Sequence, residues 1–536
     1  MRKKALGIIA GVVLVAALGA AAFFLLKNQP EDSSADASSS EESSAVTETL
    51  TSQEPKDVTS IDITNPTGSF EIVRTQEATD TDDAVYALSG YEDLPVDTKI
   101  NTLANNTASL STTGLVEENS SDLKKFGLDD AEATAVTLHF ADGSSYAFRV
   151  GNAVSGTENT YLAPADSDTV YTVKTSLVSN FKNTADSFLS LTMLEKPSDD
   201  DMPIINTFTL ERKDMDYVME LDYSKDAEKD EKMGGTSASH EMVSPIPAYL
   251  SVDRSTPVIT GVFGLKAASI AVKHPTDADM EADGLTDPFG TATMACDDGN
   301  TYVLKFGTQF KEKDEETGTE SAYYYAYLDG VNAIYKVAAS DMVWATVTPT
   351  DITSKMVLGT YVWDVKTLNV TVDGGKSFQF QVEGSDKNSA KVTLNGSATD
   401  SERYRTFYSF LLNTTAETVD LSEKPEGDPI AEIQLETQDG TFSRDLAFYA
   451  IDDFTCLITV DGQSAYTCRK SFLDVLRKNM DIYDTDQEFT AADALLLYLG
   501  LRIRGTELRL RHGSLFVPGR AQLAGCAGAD SHHVCV

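Results

Sequence analysis

Apolar and polar residues alternate in short runs along most of this chain, and the order of the runs recurs three times. The clearest copy surrounds Asp142-Gly143. Residues 135–140 before that pair are rich in apolar side chains; after it Tyr146, Phe148 and Val150 alternate with Ala147 and Arg149. Period-two alternation marks half-buried strands, and Asp-Gly tolerates the positive φ angles of a tight two-residue turn, so the stretch predicts a β-hairpin. The same signals surround Asp298-Gly299 and Asp439-Gly440. The three turns lie roughly 150 residues apart, the length of a domain and far more than a solenoid repeat. The pattern predicts an α+β, β-dominated fold of three tandem modules, over residues 58–197, 198–355 and 356–488, each mainly antiparallel sheet with short helices.

Each module opens on a further strand pair. In the first, residues 61–64 and 70–73 flank the turn-forming Asn65-Pro66-Thr67-Gly68; in the second the pair is 208–212 with 217–221; in the third, 368–372 and 377–382 surround Asp373-Gly374-Gly375. Helical spacing follows each pair: Ile100, Leu103 and Leu110 within 96–110, a mixed section within 245–268, and 404–412. Leu123–Phe126 reads as a short helix ended by Gly127, and Asp283-Gly284-Leu285 repeats that signal in the second module. Val170-Tyr171, Ile334-Tyr335 and Ala465-Tyr466 occupy matching places near the end of each module. Residues 177–194 read as amphipathic.

The two ends differ from this body. Arg2, Lys3 and Lys4 precede 22 uncharged positions, 5–26, which as helix would span about 33 Å. That is enough to cross a bilayer, and the charge asymmetry puts the N-terminus in the cytoplasm and the remainder outside. A cleaved signal peptide has an apolar core of about 7–15 residues. This run is longer, with Phe23-Phe24-Leu25-Leu26 after the small residues, so residues 1–27 predict a cytoplasmic tip and a retained single transmembrane helix. Residues 28–57 are rich in serine and carboxylates and poor in groups that could form a core; they predict a disordered tether with a span of roughly 30 Å. From Ala491 on there are five arginines, no lysine and three acidic residues. Residues 489–536 therefore read as an appended tail outside the repeated fold.

Over the whole chain 84 acidic residues face 43 basic ones, a net charge of −41. Such a surface repels nucleic acid. The cysteines at 296, 456, 468, 526 and 535 form no CxxC pair; Cys456 and Cys468 flank a hairpin-like segment, compatible with a disulfide in an oxidising compartment or with two buried thiols.

Candidate chemistry is sparse. Nucleophilic catalysis needs a base beside a nucleophile and a group that orients the base, yet the body holds only His139, His240 and His274, and His139 falls on a strand where the alternation turns it to solvent. Asp80, Asp82 and Asp83 resemble the start of a calcium loop without its glycine and closing glutamate. Cys526, His532, His533 and Cys535 have zinc-ligand atoms at a spacing that fits no finger. Tyr323, Tyr324, Tyr325 and Tyr327 would send alternate rings inward and outward on a strand. No catalytic, cofactor-binding or metal-binding residue is assigned.

Taken with the N-terminal run and the serine-rich segment, the order Phe126-Gly127-Leu128, strand, Asp142-Gly143, a strand ending in Gly151, Tyr161 and Val170-Tyr171-Thr172-Val173 resembles the DUF4340 family of bacterial envelope proteins. The resemblance is clearest over 58–350 and weaker to about 488. It implies a non-enzymatic, membrane-anchored extracytoplasmic accessory or binding protein, auxiliary to an ABC-type transport system, with a permease and an ATPase of the gliding-motility or ABC-2 kind as partners, no cofactor and no catalytic residue to carry over. The alternatives are an enzyme acting on cell-envelope polymers through carboxylate pairs and a wall-associated spacer or adhesin.

Overall fold

The computed structural model describes residues 47–491 apart from 81, 225–237, 355, 413 and 415. Three antiparallel sheets carry this part of the chain. The first is built from β1 (Val58–Asn65), β2 (Gly68–Gln76), β3 (Val85–Leu88), β4 (Gly114–Glu117), β5 (Thr134–Phe140), β6 (Ser145–Ala153), β7 (Asn159–Pro164) and β8 (Val170–Lys174), in the order β3-β2-β1-β5-β6-β7-β8-β4. The second contains β9 (Ile205–Arg212), β10 (Met219–Tyr223), β11 (His240–Ser244), β12 (Ala248–Tyr249), β13 (Ser269–Lys273), β14 (Gly290–Cys296), β15 (Thr301–Phe306), β16 (Phe310–Lys313), β17 (Glu320–Leu328) and β18 (Ala333–Ala338). Its order is β12-β11-β10-β9-β14-β15-β17-β18-β13, with β16 on β17. The third has β19 (Val365–Val372), β20 (Lys376–Glu383), β21 (Lys391–Leu394), β22 (Ser397–Thr399), β23 (Thr418–Val419), β24 (Ala431–Thr437), β25 (Ser443–Ala450), β26 (Thr455–Val460) and β27 (Gln463–Arg469), ordered β22-β21-β20-β19-β24-β25-β26-β27-β23.

One path generates all three orders. A meander runs outward from the first strand, the chain crosses through a helix to lay a short strand on the opposite edge, and a second meander starts beside the first strand and runs out to meet it. The residue register repeats as well: Leu115 pairs with Tyr171, Ile270 with Tyr335 and Val419 with Tyr466, each across the last two strands of its sheet. By contact the chain divides into two compact units. Residues up to Ser89 with Thr98–Asp186 hold the first sheet; Gly90–Asp97 with the residues from Ser187 on hold the second and third.

The helices that cross over are α1 (Lys99–Ala108), α2 (Val252–Thr260) and α4 (Ser401–Leu412); α3 (Pro349–Ile352) and α5 (Ser471–Asp481) follow the second and third sheets. Each crossing helix buries one stripe: Ile100, Leu103 and Ala104 on α1, Val258 and Ile259 on α2, Tyr404, Phe407, Tyr408 and Leu411 on α4. Full burial of one such large side chain contributes about 1.5–3 kcal/mol. The 177–194 segment forms only single turns, at Thr175–Val178, Ser179–Lys182 and Ala185–Phe188.

The Asp-Gly pairs turn the chain at the same place in each sheet, but not as two-residue turns. Gly143, Gly299 and Gly440 have positive φ while the aspartates before them do not. Phe140 N donates to Ser144 O at 3.0 Å and Gly143 N to Phe140 O at 3.0 Å, which is a three-residue loop with glycine in the left-handed position. Cys296 with Asn300 repeats it, and Thr437 pairs with Phe442 across a loop one residue longer. The aspartate holds the loop: Asp142 Oδ1 accepts from Ser144 N at 2.8 Å, Asp298 Oδ1 from Asn300 N at 2.9 Å, and Asp439 Oδ1 from Thr441 N at 3.0 Å. The two-residue turns with both φ positive are instead Asn395-Gly396 and Asp461-Gly462.

Gly127, at φ 66°, ends the Leu123–Phe126 turn as expected. Its loop lies against Gly151, where an added Cβ would sit 2.3 Å from Phe126 O; at Gly307 it would sit 2.5 Å from Asp283 O. A strand and a loop thus touch backbone to backbone in both sheets.

Two expected boundaries move. Residues 47–57 join the first unit: Leu50 N donates to Leu110 O at 2.7 Å, Thr51 Oγ1 to Thr107 O at 2.7 Å, and Thr51 is buried. At the other end Thr490 N donates to Asn479 Oδ1 at 2.8 Å and Asn479 Nδ2 to Thr490 O at 2.9 Å, so Phe489 and Thr490 belong to the third module. Residues 5–26, the charged insert 225–232 and the tail from 492 lie outside the described residues, among which no helix is long and apolar enough to cross a membrane.

Candidate functional site

A cleft of about 760 Å³ lies between elements of the second and third modules, inside the second unit. Pockets for small ligands are commonly about 300–1,000 Å³. One wall is α2 with the segment 343–354; the other is β23, the residues before it, and β27.

The first wall is fixed from behind. Trp344, fully buried, donates through Nε1 to Val258 O at 2.8 Å. Arg212, 7% exposed, donates to Val347 O at 2.7 Å and to Trp344 O at 3.1 Å while its other nitrogens meet Asp214 at 2.8 and 3.0 Å. Pro349 begins α3, and Asp351 Oδ2 accepts from Thr348 N at 2.8 Å and from Thr348 Oγ1 at 2.6 Å, a capping box that locks the turn. The walls are tied together by Val419 N, which donates to Thr350 Oγ1 at 3.1 Å.

Buried Val258, Val347, Ile352, Ala416 and Tyr466 line the interior of the cleft, and exposed Asp253, Arg254, Asp351 and Glu417 line its opening. Arg254 donates to Thr353 O at 2.6 Å, and Glu417 accepts from Arg469 Nε at 2.6 Å. Tyr466 is 2% exposed, and its hydroxyl finds no hydrogen-bond partner among the described residues. Leaving such a group unpaired costs about 1–3 kcal/mol. Burial pushes this hydroxyl well above its ordinary value, with Arg444 pulling the other way, so it stays protonated and can donate. The matching Tyr171 is satisfied: its hydroxyl donates to Glu48 Oε2 at 2.5 Å.

The residues singled out in the sequence lie elsewhere. His139 is on the solvent side of β5 as expected, with Nε2 2.9 Å from Asp62 Oδ2. His240 is buried, Nε2 2.6 Å from Ile205 O and Nδ1 2.9 Å from Ser239 Oγ, and burial lowers its pKa. His274 faces Asp93 at 2.8 Å. Asp82 accepts from Thr79 Oγ1 at 3.0 Å. Tyr324 points inward at 4% exposure, while Tyr325 stacks on Phe310 with ring centres 4.4 Å apart and Lys336 covers Tyr323 at 4.9 Å. Cys456 and Cys468 are direct cross-strand partners on β26 and β27, both buried and both unbridged. No group of three or more His, Cys, Asp or Glu among the described residues is placed to hold a metal; Cys526, His532, His533 and Cys535 lie outside them.

One segment, from β3 past Gly127 and Gly151 to just ahead of β14, is similar to a known domain. Residues 87–288 match the family model "Domain of unknown function (DUF4340)". No curated protein and no solved structure matches the chain. The DUF4340 match takes in α2 on one wall of the cleft; the segment 343–354, β23 and Tyr466 lie beyond it.

Proposed function

We propose that this protein is a non-enzymatic accessory or binding protein, anchored by residues 5–26 with its body on the outer side of a cell membrane, and that it serves as an auxiliary subunit of an ABC-type transport system with a permease and an ATPase as partners. The observation that carries the reading is the 22-residue uncharged run behind Arg2, Lys3 and Lys4, placed ahead of a strongly acidic body that contains a DUF4340 match. The cleft, with an apolar interior and a polar opening, is the shape of a binding site. Protease treatment of intact cells tests the placement. The body should be digested while a cytoplasmic marker survives; protection of the body until the cells are lysed would refute it.

A further inference from the structure

We propose that the cleft between α2 and β27 takes a small uncharged molecule with a compact apolar body and an acceptor oxygen, and disfavours cations and anions of the same shape. Apolar surface comes from buried Val258, Val347, Ile352 and Ala416 and from the ring of Tyr466, whose hydroxyl is closed off from the cleft. A volume of about 760 Å³ suits a small ligand. At the opening the charges are already balanced. Glu417 accepts from Arg469 Nε at 2.6 Å, and Asp351 is held in its own helix cap by Thr348. Asp253 and Arg254 follow one another on α2 with opposite sign, and Arg254 donates to Thr353 O. A charged ligand would shed water against the apolar interior and meet no unbalanced charge in return, a penalty that an uncharged one escapes. Hydroxyls supply the polar contact. Thr350 Oγ1 accepts from Val419 N at 3.1 Å and Ser354 Oγ from Met356 N at 3.0 Å, and each keeps its own proton to donate to an acceptor in the cleft. The inference rests on reading the cleft as a binding site and holds whether or not the chain is anchored or works beside a transporter.

The test uses the purified full chain in lipid nanodiscs at about 0.15 M salt, where the field of the acidic body is screened within about 8 Å. Benzamide, benzamidine and benzoate share one shape and differ in charge; each is titrated by saturation-transfer NMR with empty nanodiscs as the blank. Benzamide should saturate, and the cation and the anion should each bind at least about fivefold more weakly. Thr346 is an exposed lining residue, so Thr346→Trp should fill the cleft, weaken benzamide at least about tenfold and leave the melting temperature unchanged. Arg469→Gln frees Glu417 at the rim and should strengthen benzamidine by about twofold to threefold without moving benzamide. Should Thr346→Trp fold poorly, Arg469→Gln at its half-exposed position carries the test of the site. Benzamide that fails to saturate, a charged probe bound as tightly as benzamide, full benzamide affinity in a folded Thr346→Trp, or benzamidine unmoved by Arg469→Gln would each overturn the proposal. Protease treatment of intact cells reports on the anchor alone, so the two readings fail separately.

Discussion

The guanidinium of Arg403 lies 3.7 Å from the centre of the Phe489 ring. The same side chain donates to the carbonyls of Ile482 and Tyr483, each at 2.9 Å, and Phe489 stacks on Tyr483 with centres 5.9 Å apart. The end of the third module is thus pinned onto α4 through Phe489 and onto α5 through the bonds of Thr490 to Asn479, although the sequence character changes just there. A chain ending at Ala491 should melt with the full-length body. One ending at Glu488 should lose about 2 kcal/mol or more, because the fully buried Asn479 amide forfeits both bonds to Thr490. Denaturant titration of the two truncations decides; equal midpoints would contradict the packing.

Gly151 offers a second check. An alanine there would place Cβ 2.3 Å from Phe126 O and 2.9 Å from the Leu128 side chain, and backbone cannot yield as a flexible side chain can. Gly151→Ala should cost about 3 kcal/mol. Gly143→Ala meets open space and suffers only from its φ of +83°, so it should cost about 1–2 kcal/mol. Urea unfolding of the two variants should rank them in that order.

Much of this fold can be read from the order of residues, and the unread parts have identifiable causes. The hairpins at Asp142-Gly143, Asp298-Gly299 and Asp439-Gly440 follow from alternation plus turn chemistry, whereas β6 runs two residues past Gly151, the expected strand end, to Ala153. The crossover strand β23 is only Thr418–Val419, too short to carry a period. Its existence depends on Tyr466 and Thr467 lying beside it. The turn type is not legible in the Asp-Gly pair alone, because each aspartate bonds to the backbone N–H two residues on and keeps its own φ negative, so only the glycine turns left-handed. Glu48 sits in a serine-rich stretch with no apolar pattern, yet it satisfies Tyr171. That pairing, and its absence at Tyr466, is a property of the folded chain that no local window contains.

His240 makes stability depend on pH. Burial holds its pKa below that of the unfolded chain, so on acidification the unfolded form takes up the proton first. Its contribution is complete above about pH 6.5 and declines as pH falls from there toward the folded value. Thermal melts between pH 7.5 and 5 should show a steeper loss for the wild type than for His240→Gln. Parallel curves would contradict the assignment.

Cys456 and Cys468 face each other across β26 and β27 as unbridged, buried thiols, and Cys296 is buried likewise. In a chain ending at Ala491 these three should react with a thiol reagent slowly in the native state and completely in guanidinium. Rapid native labelling, or a 456–468 disulfide on non-reducing peptide mapping, would contradict the structure.

The proposed role is that of an anchored body working beside a transporter. Affinity purification of the tagged full chain from solubilised membranes, with quantitative mass spectrometry of what accompanies it, tests that most directly. The prediction is that one ABC-type permease and its ATPase co-enrich in fixed ratio to the bait and are lost when residues 1–27 are removed. Recovery of the chain from the soluble cytoplasmic fraction, or from membranes with neither subunit enriched, would contradict it.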